Sequence, residues 1–166
     1  MKRLFKLLAC SLFLNMAMLT NVATVSAQGT GFDRLTPAFP QGGRKAADIA
    51  SALTVAAVIA FDAKASWHAS DRRRAFVLQG VRVFSVFTFT TLIKGLVARE
   101  RPDGSDRLSF YSMHTAFAFQ TRGGPRASIM VPLAIGTGSL RIGANKHWLT
   151  DVLAGAAMGA VTSGLR

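Results

Sequence analysis

A lysine and an arginine that suit phosphate binding lie close together near the middle of the chain. Lys94 precedes Arg101 by two helical turns, so the spacing predicts that both side chains lie on one face of a helix. Pro102 disfavours helical geometry at the residue before it, which predicts that this helix ends near Arg101. An ammonium and a planar guanidinium beside a loop suit a multiply charged anion. For such a pair taken alone, interface charges at a helix end are the commoner explanation.

Residues 109–115 contain the second group, Ser112 and His114. Ser112 is a typical N-cap residue, so its hydroxyl and the free amides after it are predicted to form an anion site at the start of a helix. His114 would then lie in the first turn, where it can donate a proton to a leaving oxygen. A single histidine of this kind is also commonly a surface residue with no catalytic role.

The third group is Arg141, His147 and Asp151. His147 and Asp151 are four residues apart, which places them side by side if both belong to one helix. A carboxylate there can hold the imidazole in one tautomer and leave its other nitrogen free to attack, while Arg141 adds a third cation. The pair alone can equally be an ordinary helix contact. Together, however, three cations and two of the three histidines fall in three groups that each suit phosphate binding, within one small chain.

These three groups, in this order, resemble the signatures of the type 2 phosphatidic acid phosphatase superfamily, which also contains bacterial acid phosphatases and vanadium haloperoxidases. The family signatures are Lys-x6-Arg-Pro, Pro-Ser-Gly-His and Ser-Arg-x5-His-x3-Asp. The first is matched fully, from Lys94 to Pro102. The third is matched from Arg141 to Asp151, with Leu140 in place of the family's serine. The resemblance covers roughly residues 46–165.

The resemblance implies an all-α helical bundle with the active site at one end of the helices. His147 would attack phosphorus and form a phosphohistidine, Asp151 would orient His147, and His114 would protonate the leaving oxygen. The groups that would hold the phosphate oxygens are the side chains of Lys94, Arg101, Ser112 and Arg141 and the amide of Met113. No metal or other cofactor is implied, because fixed cations and amides can stabilise the transition-state charge. The implied reaction is hydrolysis of a phosphate ester or pyrophosphate, with a phosphorylated lipid or a small phosphate ester as substrate.

The middle motif departs from the family pattern. Tyr111 stands where the family has proline and Met113 where it has glycine, and a methionine can obstruct the close backbone approach that glycine permits. The interval from His114 to Arg141 is also short for the family, as if one helix were truncated. These departures leave open a catalytically degenerate, non-enzymatic envelope protein of the same fold.

Four apolar runs must carry these groups, at residues 49–61, 83–93, 127–140 and 152–165. They lack the two-residue alternation of strands and are rich in Ala, Leu and Met, so helices are predicted. Each run is shorter than the ~20 residues of a membrane-spanning helix, which favours buried core helices. Gly155 and Gly159 have the small-x-x-x-small spacing that allows close helix contact, although the same spacing arises by chance in a Gly/Ala-rich segment.

Residues 1–27 are predicted to be an export signal. A basic start and an apolar stretch are followed by small residues that permit cleavage after Ala27. An uncleaved membrane anchor is the alternative for this segment. Residues 28–45, with repeated glycine and proline, are expected to be an irregular linker, and residues 46–166 to be the phosphatase-like helical domain.

Composition places the chain at or near a membrane. It is 50% hydrophobic and only 17% charged, with a formal net charge of +12. The basic residues punctuate apolar runs and form no nucleic-acid-binding motif, so no nucleic acid partner is predicted. The single cysteine, Cys10, excludes a disulfide framework. We expect a bacterial cell-envelope protein, either in the inner membrane with its active site facing the periplasm or exported as a soluble periplasmic acid phosphatase. No feature of the sequence predicts an oligomeric state.

Overall fold

The computed structural model describes residues 31–35, 37–120 and 127–164, and these residues form an all-α helical bundle. A short 3-10 helix, Phe32–Leu35, precedes the α-helices. These are α1 (Gln41–Trp67), α2 (Arg72–Val97), α3 (Met113–Phe119), α4 (Ala127–Gly143) and α5 (Leu149–Ser163). The all-α prediction is confirmed, whereas the predicted export signal and Cys10 lie outside the described residues.

Helix α1 begins inside the segment where the sequence predicts an irregular linker. Residues 41–45 are helical and residues 32–35 form the 3-10 helix, so the linker prediction is wrong at these positions. Pro40 directly precedes the first helical turn, where the absence of an N–H costs no intrahelical hydrogen bond. A proline and glycines at this point therefore start the helix rather than prevent it.

Helices α1 and α2 are longer than the apolar runs that predict them, because charged residues at their ends join the helices. Helix α1 has 27 residues and α2 has 26, and both are long and apolar enough to cross a membrane. The expectation that every run has the length of a core helix is therefore wrong for these two. Only 22% of the most apolar window of α1 and 28% of that of α2 are buried in the bundle. Large apolar side chains face outward, among them Leu53, Phe84 and Leu96.

The turn after α2 separates Lys94 from Arg101. Helix α2 ends at Val97, and Ala98 adopts the left-handed conformation with a φ of 46°. The Ala98 N–H donates to the Lys94 carbonyl and closes the last helical turn. Arg101 therefore lies in the following loop, and the prediction that it shares a helical face with Lys94 is wrong.

Two glycines allow the short helix α3 to pack closely against α5. A Cβ on Gly155 would lie 2.5 Å from the Ser112 carbonyl oxygen. A Cβ on Gly159 would overlap the Ala116 carbonyl oxygen and lie 2.7 Å from the Cβ of Phe119. The small-x-x-x-small spacing is thus a helix contact in this fold, as one of the two sequence interpretations predicts. This contact brings the N-terminal end of α3 against the helix that carries Asp151.

Candidate functional site

The predicted site residues come from the ends of four helices and from the loops beside them. Lys94 and Arg141 lie in the last turns of α2 and α4, whereas Ser112 caps α3 and Asp151 lies in the first turn of α5. Arg101 lies in the loop after α2, and His147 lies in the loop before α5. A series of short contacts joins these positions.

A backbone carbonyl, rather than Asp151, holds the imidazole of His147. The Nδ1 atom lies 2.7 Å from the Ser109 carbonyl oxygen but 3.8 Å from Asp151 Oδ2. A carbonyl only accepts hydrogen bonds, so Nδ1 carries the proton and Nε2 keeps its lone pair. His147 and Asp151 do lie side by side, as predicted, but not on one helix, because His147 precedes α5 and Trp148 is the N-cap residue.

Burial keeps His147 uncharged. The residue is 3% exposed, and burial lowers the pKa of His147 to about 3, with the charges of Lys94 and Arg141 acting in the same direction. Its second ring nitrogen is therefore unprotonated throughout the neutral pH range. A neutral imidazole in one fixed tautomer is the form that can act as a nucleophile.

Lys94 meets His147 at the same carbonyl. Its Nζ donates to the Leu108 carbonyl and lies 3.4 Å from the Ser109 carbonyl oxygen. The Ser109 carbonyl thus links the lysine of the first motif to the histidine of the third. Because an ammonium has three protons, Lys94 keeps one donor for a bound anion beyond these two carbonyls.

A polar cleft of about 420 Å³ contains three more of the predicted residues. Its polar lining consists of Arg101, His114, Arg141, Lys146, Asp48 and Asp106. Cations therefore outnumber carboxylates in the lining by three to two, with His114 neutral. A cleft of this kind favours an anionic ligand over a cationic one.

Both arginines of the cleft are paired with carboxylates. Arg141 Nη1 donates to Asp48 Oδ1, and the Nε of Arg101 lies 2.6 Å from Asp106 Oδ1. Arg141 Nη1 also lies 3.2 Å from Ser51 Oγ. A phosphate entering the cleft would have to share these guanidinium groups with the carboxylates or displace them.

His114 is half-buried at this cleft. Burial, followed by the neighbouring charge of Arg141, lowers the pKa of His114 to about 4. The imidazole is thus neutral at neutral pH. A phosphate dianion bound beside it would favour the protonated form, which can donate a proton.

The middle motif combines a confirmed cap with a buried hydroxyl. Ser112 caps α3, and its Oγ accepts from the Thr115 N–H at 3.4 Å and from Thr115 Oγ1 at 2.9 Å. Ser112 is fully buried and is not part of the lining of the cleft, and its N–H donates to the Asp151 carbonyl at 3.0 Å. The Met113 side chain packs against the apolar core that includes Phe110. The structure thus directs the bulk of Met113 into the core.

Asp151 is joined to three buried polar residues that the sequence analysis does not identify, to Arg99 and Ser109 directly and to Asp33 through Arg99. Arg99 Nη1 lies 2.6 Å from Asp151 Oδ1, and Arg99 Nη2 lies 2.7 Å from Asp33 Oδ2. The Ser109 Oγ donates to Asp151 Oδ2 at 2.5 Å. The position of Arg99 inside the first motif, between Lys94 and Arg101, is the one signal that the sequence offers. Nothing in the spacing pairs it with Asp33, which is 66 residues away.

The fold and the site define a helical bundle in which cations and two histidines meet beside a polar cleft. Within the described residues, no group of three His, Cys, Asp or Glu side chains is placed to hold a metal ion. No protein-family model, curated protein or solved structure matches the chain. The function of the site is therefore argued from its own chemistry.

Proposed function

We propose that this protein is a metal-independent phosphatase that hydrolyses a phosphate ester or pyrophosphate on a lipid through a phosphohistidine at His147. The observation that carries the proposal is the Ser109 carbonyl, which accepts from Nδ1 of a buried, neutral His147 and also lies beside Lys94 Nζ. One carbonyl thereby fixes the tautomer of the histidine and also lies beside a cation that can bind phosphate. Arg141, whose charge acts on His147, also lines the cleft that contains Arg101.

The first step transfers the phosphoryl group to the protein. The Nε2 lone pair of His147 attacks phosphorus, and the bond from phosphorus to the leaving oxygen breaks. Protonated His114 delivers its proton to that oxygen. The charges of Lys94, Arg101 and Arg141 stabilise the oxygens of the transferring group. Such fixed positive charge usually makes the largest contribution to the rate of phosphoryl transfer.

The second step regenerates the free enzyme. A water molecule attacks the phosphorus of the phosphohistidine, and neutral His114 takes its proton. The bond between phosphorus and Nε2 breaks, inorganic phosphate leaves, and His147 recovers its neutral form. His114 is then protonated again for the next turnover, so protons and charges balance over the cycle.

The two long helices favour a lipid as the substrate. Both α1 and α2 have the length and apolar character of membrane spans and bury only a minority of their most apolar windows. We call the polar residues of the cleft together with Lys94, His147 and Asp151 the cluster. Asp48 near the start of α1 and Lys94 near the end of α2 both belong to it, at the ends of the two helices where the phosphate of a membrane lipid would lie. We therefore propose the bacterial inner membrane as the location, with the cluster facing the periplasm.

A histidine substitution with a matched control tests the enzymatic proposal. Phosphate release from phosphatidic acid and from a polyprenyl pyrophosphate would be measured with the purified protein in detergent. His147→Ala should abolish release, whereas His68→Ala should not change it, because His68 is an exposed residue at the other end of α1. Release that is equal in wild type and His147→Ala would refute the assignment.

Two alternatives are each favoured by one observation. The 17 and 15 residues of α4 and α5 are short for membrane spans, which favours a soluble periplasmic acid phosphatase. Extraction of the protein from membranes by alkaline carbonate would support that alternative. The carboxylate partners of Arg101 and Arg141 favour a non-enzymatic envelope protein. Absence of turnover in both wild type and Met113→Gly, which restores the family's glycine, would support this second alternative.

A further inference from the structure

The segment before α1 is attached to the site at two points. We call residues 31–35 and 37–40 the N-terminal strap. Asp33 in the strap is 3% exposed, and the Phe39 N–H donates to the Gly143 carbonyl at 2.8 Å. The Phe39 ring lies against Gly143 so closely that a Cβ there would overlap it. The strap is therefore packed into the bundle, although it lies outside the part of the chain that carries the phosphatase-like motifs.

Asp33 caps the helix that carries Asp151. Its Oδ1 accepts from the Thr150 N–H at 2.9 Å and from Thr150 Oγ1 at 2.6 Å. Thr150 is the second residue of α5, so its amide has no partner within the helix, and the N-cap residue Trp148 has no side-chain oxygen to offer. Asp151 itself accepts from the Trp148 N–H at 3.0 Å, and the strap supplies the carboxylate for the Thr150 amide.

The second oxygen of Asp33 joins a buried chain of charges. Oδ2 lies 2.7 Å from Arg99 Nη2, and Arg99 Nη1 lies 2.6 Å from Asp151 Oδ1. All three side chains are at most 1% exposed. One cation is therefore shared between two carboxylates, and this triad has a net charge of −1 behind His147. Without the charge of Asp33, Arg99 would neutralise Asp151 alone.

We propose that Asp33 is a positioning residue of the active site, which fixes Asp151 and Arg99 and keeps the buried triad negative beside His147. When Nε2 bonds to phosphorus, the ring becomes positively charged, and the triad stabilises this charge at short range in a water-poor interior. Asp33 does not line the cleft, so it affects the chemical step rather than the binding of substrate. This inference rests on the proposed phosphohistidine mechanism.

Three variants isolate the role of the Asp33 charge. Asp33→Asn keeps the size of the side chain but removes the charge, and Asp33→Glu keeps the charge. Asp71→Asn is the matched control, because Asp71 also caps a helix by accepting from the Arg74 N–H, at 3.0 Å. Asp71 lies at the opposite end of α2 from Lys94, about 35 Å away at 1.5 Å per residue.

The kinetic constants for a phosphate monoester and the unfolding temperature would be measured for each variant. Asp33→Asn should lower kcat by about 10- to 100-fold, the range known for the outer partners of metal-ligating histidines, and leave KM within about twofold. Asp33→Glu should recover a substantial part of kcat. Asp71→Asn should leave kcat unchanged and change the unfolding temperature little, because Asp71 is exposed and asparagine caps a helix about as well as aspartate.

The outcomes separate this inference from the proposed function. An inactive wild type would refute both together. An active wild type in which Asp33→Asn keeps its kcat, or raises KM instead, would refute only the role of Asp33. Hydrogen exchange of the Thr150 amide gives a readout without turnover: exchange should be slow in the wild type and fast in Asp33→Ala. Fast exchange in the wild type would show that the strap is not docked and would also overturn the inference.

Discussion

In the proposed mechanism the two histidines hold opposite protonation states, so activity should fall steeply as the pH rises through the neutral range. His147 attacks only when unprotonated, and burial lowers the pKa of His147 to about 3, so this condition is met at any pH above that value. His114 donates only when protonated, and burial together with Arg141 lowers the pKa of His114 to about 4. Raising the pH therefore removes the acid without improving the nucleophile.

The size of the effect follows from the pKa of His114. Each pH unit above that pKa reduces the protonated fraction tenfold, so kcat/KM, which reports the free enzyme, should fall about 100-fold from about pH 5 to about pH 7. The decline of kcat should begin at a higher pH than the decline of kcat/KM, because a bound dianion raises the pKa of His114. The second ionisation of the substrate phosphate adds its own limb near pH 6. The His114→Asn variant separates the ionisation of His114 from that of the substrate, because its pH profile retains only the change caused by the substrate phosphate.

The assay compares two substrates across this pH range. An alkyl phosphate needs a proton on its leaving oxygen, whereas an aryl phosphate with an acidic leaving group does not. His114→Asn should therefore slow the alkyl substrate by about 10²- to 10⁴-fold and the aryl substrate far less. A wild-type kcat/KM that rises from pH 5 to pH 7, or equal losses on both substrates, would refute the role of His114.

The lowered histidine pKa values also set the lowest pH at which the protein is stable enough for the rate measurements. The folded state holds His147 neutral with a pKa well below the ordinary 6.5, so the unfolded chain binds more protons as the pH falls below that value. Folding stability is therefore lost progressively towards acid pH. Rates below about pH 5 are interpretable only where circular dichroism shows the fold intact.

Two further predictions concern the framework of the site. Gly159→Ala should destabilise the fold by about 1–3 kcal/mol, because the added Cβ meets the Ala116 carbonyl, whereas Gly136→Ala, with open space around it, should be neutral or stabilising by up to about 1 kcal/mol. Equal unfolding temperatures for the two variants would contradict this packing. Arg99→Met should cost about 3–5 kcal/mol, because it leaves two buried carboxylates without their cation, and adding Asp33→Asn should restore part of the loss. A single Arg99→Met variant with wild-type thermal stability would show that the triad is not formed.

The spacing of the motifs predicts which residues meet, but not how they meet. Lys94 and Arg101 were expected on one helical face, yet the left-handed residue Ala98 ends α2 between them. His147 and Asp151 were expected on one helix, yet His147 lies before it. In both cases the residues still belong to one cluster, because the loops return the chain to the helix ends. Helical spacing predicts a shared face only while both residues remain in the helix.

The lengths of the helices also exceeded what apolar runs alone indicate. The runs end at charged residues, but a helix continues through residues such as Lys64 and Arg72 when they lie at an exposed end. Backbone hydrogen bonding is indifferent to side-chain charge, and long cationic side chains can extend into solvent. Hydropathy thus marks the apolar centre of a helix and underestimates its span.

The sequence by itself determined the helical class, the cap at Ser112 and the groups of cations and histidines within each motif. Each of these depends on local preference or on residues near one another in the chain. Only the tertiary structure decided that the Ser109 carbonyl orients His147, that Arg99 carries the charge beside Asp151, and that Asp33 completes the triad across 66 residues. These contacts depend on burial and on a backbone carbonyl, and neither of these has a pattern in sequence. A side chain whose charge is buried with its partners can be recognised only once the chain is folded around it.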